Sequence, residues 1–103
     1  MIPAWAHEWG RGVRRRIATR DVPEEVKRLV DEREGGRHCV DCRRLGLVTP
    51  ASEGLELDHR QPLARGGDSS AFNLIWRCRG HNRSKGARKH AQEVPPWARG
   101  PRR

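Results

Sequence analysis

The clearest periodic signal in the chain is Val22, Val26, Leu29 and Val30, three or four residues apart within a charged stretch. That spacing lines four apolar side chains along one face of a helix and predicts that the face packs into the core. Asp21-Val22-Pro23-Glu24 reads as the helix start, with Asp21 as N-cap and Glu24 as its capping-box partner, and Gly35-Gly36 stops it near Glu34. Leu45 to Leu57 mixes Leu and Val with Gly46, Pro50 and Gly54, which predicts two short strands joined by a loop. The alternation in Leu55-Glu56-Leu57 puts Asp58 and His59 at the end of the second strand. Ala64 to Asp68 is a loop, and Ser69 or Ser70 caps a short helix through Phe72, Asn73, Leu74, Ile75 and Trp76. A polar, basic segment from His81 to about Glu93 forms a last helix, weakened by Gly86 and ended by Pro95-Pro96. The expected class is small α+β.

Composition sharpens this picture. With 103 residues, 34% of them hydrophobic, one Phe and no Tyr, burial alone makes a marginal core. Something besides apolar packing must hold the chain together. The net charge is +9 and unevenly spread. Residues 1–20 carry +4 and 77–103 carry +8, whereas the stretch between them is −3. Two basic flanks around a near-neutral centre suggest arms that contact a polyanion on either side of a central site. The expected organisation is a basic, partly disordered arm at 1–20, one domain at 21–93 and a mobile Pro/Arg-rich tail at 94–103. No apolar run is long enough for a membrane span, and the start lacks a secretory pattern. A cytoplasmic, membrane-free and monomeric protein is the default expectation.

Three cysteines cannot pair completely, and their spacing favours metal over disulfide chemistry. Cys39-x-x-Cys42 and Cys78-x-x-His81 have matching spacers, each able to converge two donor atoms on one cation from a tight turn. Two such turns give the four tetrahedral ligands of structural zinc, and thiolates exclude magnesium or calcium there. Zinc binding contributes on the order of 10–16 kcal/mol at neutral pH, enough to offset a deficient core.

Between the knuckles lies Asp58-His59-Arg60-Gln61-Pro62, then Gly66-Gly67 and Asn73-Leu74, with Asn82-Arg83-Ser84-Lys85 after the second knuckle. Over roughly residues 35–90 this order resembles the HNH endonucleases, a family with a ββα-metal fold often braced by zinc. The resemblance implies a ββα-metal core, to which the helix and basic flexible ends read above are added. It implies that His59 is the general base and that Asp58 holds a catalytic magnesium or manganese. Asn73 fixes the loop that carries the base. Many members read CxxCHxxK at the second knuckle; here His81 takes the zinc position, Asn82 the catalytic-metal position and Lys85 its expected place. The other frame makes His81 the catalytic histidine. The implied reaction is hydrolysis of DNA to 5′-phosphate and 3′-hydroxyl ends. Arg60, Arg65, Arg83, Lys85, Arg88 and Lys89 are candidate phosphate contacts, which position DNA without reading sequence. The competing expectation is a zinc-ribbon nucleic-acid-binding module without catalysis.

Overall fold

The computed structural model describes residues 1–85 and Trp97. Among these described residues, four α-helices flank a two-stranded antiparallel sheet. In chain order they are α1 (Ala4–Glu8), α2 (Glu24–Glu34), α3 (Val40–Arg44), the strands β1 (Leu55–His59) and β2 (Leu74–Cys78), and α4 (Arg79–Lys85). The strands pair in register from Leu55 opposite Cys78 to His59 opposite Leu74.

The apolar stripe of α2 behaves as its spacing requires. Val22, Val26 and Val30 are buried with Ala6, Leu57, Ala71, Leu74 and Trp76, and Leu29 packs against the edge of that cluster. The helix start differs from expectation. Asp21 lies in a 3-10 turn, Pro23 occupies the cap position, and no side-chain hydrogen bond caps the helix start. The Pro23 carbonyl instead accepts from the Val26 and Lys27 amides. At the other end Gly35 adopts φ 71°, the left-handed conformation that ends helices and that glycine reaches without a Cβ penalty. Arg33 then ties α2 to the hairpin, donating to the carbonyls of Ala71 and Leu74. Trp76 Nε1 donates to Asp31 at 2.7 Å, and the Arg37 guanidinium stacks 4.5 Å above the Trp76 ring.

Two strand assignments change. Residues 45–50 form no strand, and Val48 there is 89% exposed. The partner of β1 is instead Leu74–Cys78, where a short helix was expected; only a 3-10 turn at Ala71–Asn73 precedes it. The physical reason is burial. All five residues of β2 are buried, so the strand carries no alternation to betray it.

Residues 1–20, expected as a partly disordered arm, pack onto the domain. Ala6 of α1 is fully buried, and Ile2, Trp9 and Ile17 cover the core. The following strap is hydrogen-bonded to the loop before β2. Ser69 donates its amide to the Val13 carbonyl at 2.8 Å, and the Gly12 amide donates to Asp68 at 2.9 Å. Gly10 has φ 76°, and a Cβ there would collide with the Ser69 carbonyl. Beyond Lys85, the expected remainder of the last helix, Arg88, Lys89 and the tail apart from Trp97 lie outside the described residues.

Candidate metal centre and cleft

The cysteine cluster is built by two helix starts. Cys39 caps α3, and its sulfur accepts the Cys42 amide; the Cys78 sulfur accepts the His81 amide in the first turn of α4. These contacts orient both knuckles toward one point. Cys39, Cys42, Cys78 and His81 are all buried, and their ligand atoms lie within 4.8 Å of one another. His81 Nδ1 is 3.4 Å from the sulfurs of Cys39 and Cys42 and 3.5 Å from that of Cys78. The Cys42 and Cys78 sulfurs are 3.8 Å apart. A tetrahedral zinc with bonds of ~2.3 Å to sulfur and ~2.0 Å to nitrogen requires edges of ~3.8 Å and ~3.5 Å. The donor set and these four distances therefore fit a structural metal such as zinc. Burial raises both the Cys39 and Cys42 thiols, the latter to about 12, so without a cation they hold their protons. Leu47, Leu55 and Trp97 pack around the cluster.

At the opposite end of the hairpin the side chains of Asp58 and His59 share a cleft of about 200 Å³ with Arg16, Pro62, Leu63, Ala64 and Lys85. Strand alternation predicts opposite faces for the two residues. They nevertheless reach one cleft, with His59 Nδ1 3.9 Å from Asp58 Oδ1, because β1 ends here. The tautomer of His59 follows from its neighbour. Ser69 Oγ donates its single proton to the Arg15 carbonyl at 2.6 Å, so it must accept from His59 Nε2 at 3.0 Å. Nδ1 is then the nitrogen free to take a proton. Burial holds the His59 imidazole below its ordinary pKa, with Arg16 and Lys85 acting in the same direction and Asp58 and Asp68 against.

Asn73 makes no contact in that cleft. Its side chain accepts from the Gln61 amide at 2.7 Å and donates to the carbonyls of Gln61 and Asp68 at 2.9 and 2.7 Å. It thereby pins both ends of the loop after His59. Gly67 permits this closure, since a Cβ there would meet Gln61 and Asn73.

Asp58 is buried and heavily paired. Its Oδ2 accepts from Arg77 at 2.9 Å and lies 3.1 Å from Lys85 Nζ, while Oδ1 sees Arg16 at 3.9 Å. Asn82 lines the neighbouring cleft of about 660 Å³, which also borders His59 and Arg16. Its amide donates to Glu56 at 3.2 Å, and its buried Oδ1 has no hydrogen-bond partner among the described residues. Arg60, Arg65 and Arg83 are exposed. Lys85 is not the surface cation expected of a phosphate contact: it is 2% exposed and ion-paired with Asp58.

Four residues here escaped the sequence reading. Arg16 belongs to the Arg14-Arg15-Arg16 run but carries no mark that separates it from its neighbours. Ser69 was seen only as a helix cap. Glu56 shares a strand face with Asp58, a signal available in the i, i+2 spacing. Asp41 lies between two knuckle cysteines and is fully buried against Arg77 at 2.9 Å, which no spacing rule announces. No protein-family model matches the chain, and neither the curated proteins nor the solved structures yield a match. Among the described residues no helix is long and apolar enough to cross a membrane.

Proposed function

We propose that this protein is a metal-dependent endonuclease of HNH type that hydrolyses DNA phosphodiester bonds. The observation that carries the reading is His59, a buried imidazole whose Nε2 is committed to Ser69, leaving Nδ1 as the base beside Asp58. A neutral imidazole at pH 7 takes a proton from water as that water attacks phosphorus. The nearby Asp58 carboxylate favours the imidazolium that results. Arg16, with a side chain 69% exposed at the rim of both clefts, is available to the phosphate. Exposed Arg60, Arg65 and Arg83 add backbone contacts along the duplex. Asp58 Oδ1 and Asn82 Oδ1, which has no hydrogen-bond partner among the described residues, are hard oxygen donors suited to magnesium or manganese, which would neutralise charge on the phosphate and the leaving 3′ oxygen. The zinc-braced hairpin followed directly by α4 is the order that a ββα-metal core requires.

The test is incubation of supercoiled plasmid with the protein and magnesium, manganese or a chelator. Cleavage that needs a divalent ion and disappears in His59→Ala is expected; no cleavage with any divalent ion overturns the reading. One feature favours a second reading, a non-catalytic zinc-ribbon module that binds nucleic acid. Asp58 Oδ2 is already neutralised by Arg77 and Lys85. On that reading DNA binds with steep salt dependence and His59→Ala changes nothing.

A further inference from the structure

A chain of four buried charged side chains joins the cysteine cluster to the cleft. Asp41 Oδ2 accepts from Arg77 Nε at 2.9 Å, Arg77 Nη1 donates to Asp58 Oδ2 at 2.9 Å, and Lys85 Nζ lies 3.1 Å from that same oxygen. None of the four is more than 2% exposed. The sequence positions of Asp41 and Arg77 matter. Asp41 sits between Cys39 and Cys42 in the first knuckle, and Arg77 immediately precedes Cys78 in the second. Whatever holds the two knuckles together therefore fixes the separation of the Asp41 and Arg77 backbones, across which Arg77 Nε bonds Asp41. The guanidinium fork is planar and rigid, so fixing its Nε on Asp41 aims its Nη1 at Asp58.

We propose that Arg77 is a positioning residue through which the metal-bound knuckles set the orientation of the Asp58 carboxylate. The cysteine cluster then has a role beyond holding the fold: it determines where Oδ1 points in the cleft. Burial of so much charge is poor value as stability alone, because apolar residues of similar volume commonly do as well. A role in orientation gives the four charges a reason to be there. The proposal rests on the nuclease reading of that cleft.

The test uses the full chain loaded with zinc, and manganese ion alone as the probe. Asp41→Asn keeps the shape and an acceptor oxygen; Arg77→Lys keeps the charge and loses the fork. Each is checked for one equivalent of zinc and a cooperative melt. Manganese binding is then read by electron paramagnetic resonance, and half-saturating manganese by plasmid cleavage. Removing partners that orient a metal ligand typically weakens metal binding by about 10–100-fold. A loss in that range is expected for both variants, with metal-free DNA binding unchanged. Replacing zinc with cadmium in the parent chain needs no mutation, and its longer bonds to sulfur should shift manganese binding in the same direction. Unchanged manganese binding in folded variants overturns the proposal. If neither variant folds, unchanged binding in the cadmium form overturns it instead. A parent chain that neither binds manganese nor cuts DNA overturns the nuclease reading along with it.

Discussion

At the Leu55–Cys78 end of the hairpin, four ligand atoms come from two short stretches of chain and close to tetrahedral dimensions. At the His59–Leu74 end, the cleft draws Arg16, Asp58, His59 and Lys85 from three separate segments, with Ser69 behind them. The first end is assembled by local turns into a group that could hold a cation; the second exists only when the strap, the loop before β2 and α4 are all in place. A metal centre of the first kind can be stable with little help from the core, whereas a cleft of the second kind inherits its geometry from everything around it. Arg77 spans the two, bonded at one side to Asp41 and at the other to Asp58.

The largest test of that contrast is removal of the metal-ligating capacity. Structural zinc contributes roughly 10–16 kcal/mol, comparable to or above the about 5–15 kcal/mol net stability of a whole domain. Cys42→Ala, or a chelator, should therefore abolish the cooperative melt; an unchanged melting curve breaks the assignment. Proton release should accompany zinc uptake because burial raises the Cys39 and Cys42 thiols, so zinc affinity falls as pH falls. A proton count by calorimetry in two buffers checks it.

At the other end His59→Ala should reduce DNA cleavage by about 10²–10⁴-fold while zinc content and melting stay near those of the parent. A collapse of the fold in this variant would mean the two ends are not separable. Arg77→Met removes the cation that two buried carboxylates share while Lys85 stays beside Asp58 and Arg44 beside Asp41, so it should destabilise by less than the about 3–5 kcal/mol of a fully unpaired buried charge, measured by urea unfolding.

The pH dependence isolates the cleft. Because burial first, then Arg16 and Lys85, lower the His59 pKa, the folded protein resists protonation below ~6.5, where the unfolded chain accepts it. The stability contribution is present above that value and is lost as pH falls through the folded pKa. The acid limb of the cleavage profile should follow the folded value, and Arg16→Gln, by removing a positive neighbour, should move that limb to higher pH. An unmoved limb would detach Arg16 from His59. The smallest effect is expected of Asn82→His, which should retain zinc and keep or raise cleavage across a wider range of divalent ions, read from metal content and plasmid assays.

The amphipathic stripe of α2 and the paired knuckles were legible because each is a local pattern with a fixed period or spacing. The strand Leu74–Cys78 was not, since its apolar part, Leu74-Ile75-Trp76, fits helix or strand equally well and the buried Arg77 after it marks no exposed face. Val48 was misleading in the opposite sense: β-branched and flanked by turn residues, it has no strand to pair with and stands exposed. The strap at residues 10–16 looked like a solvated basic arm because what holds it is mostly backbone, the Val13 and Arg15 carbonyls and the Gly12 amide, and backbone groups carry no sequence signature.

By itself, then, the chain specified a Cys3His group able to hold a metal and its principal helix, the features set by side-chain type at short separation. Asp58 and His59 were also named in advance, as the metal ligand and the general base that the resemblance implied would approach one phosphate from two sides of a strand end. Only the tertiary structure put them in one cleft and gave His59 its tautomer through Ser69, ten residues away. It turned Lys85 from a surface cation into a buried partner of Asp58. Those decisions depend on distances between segments far apart in sequence and on the low dielectric of burial, neither of which exists until the chain has folded.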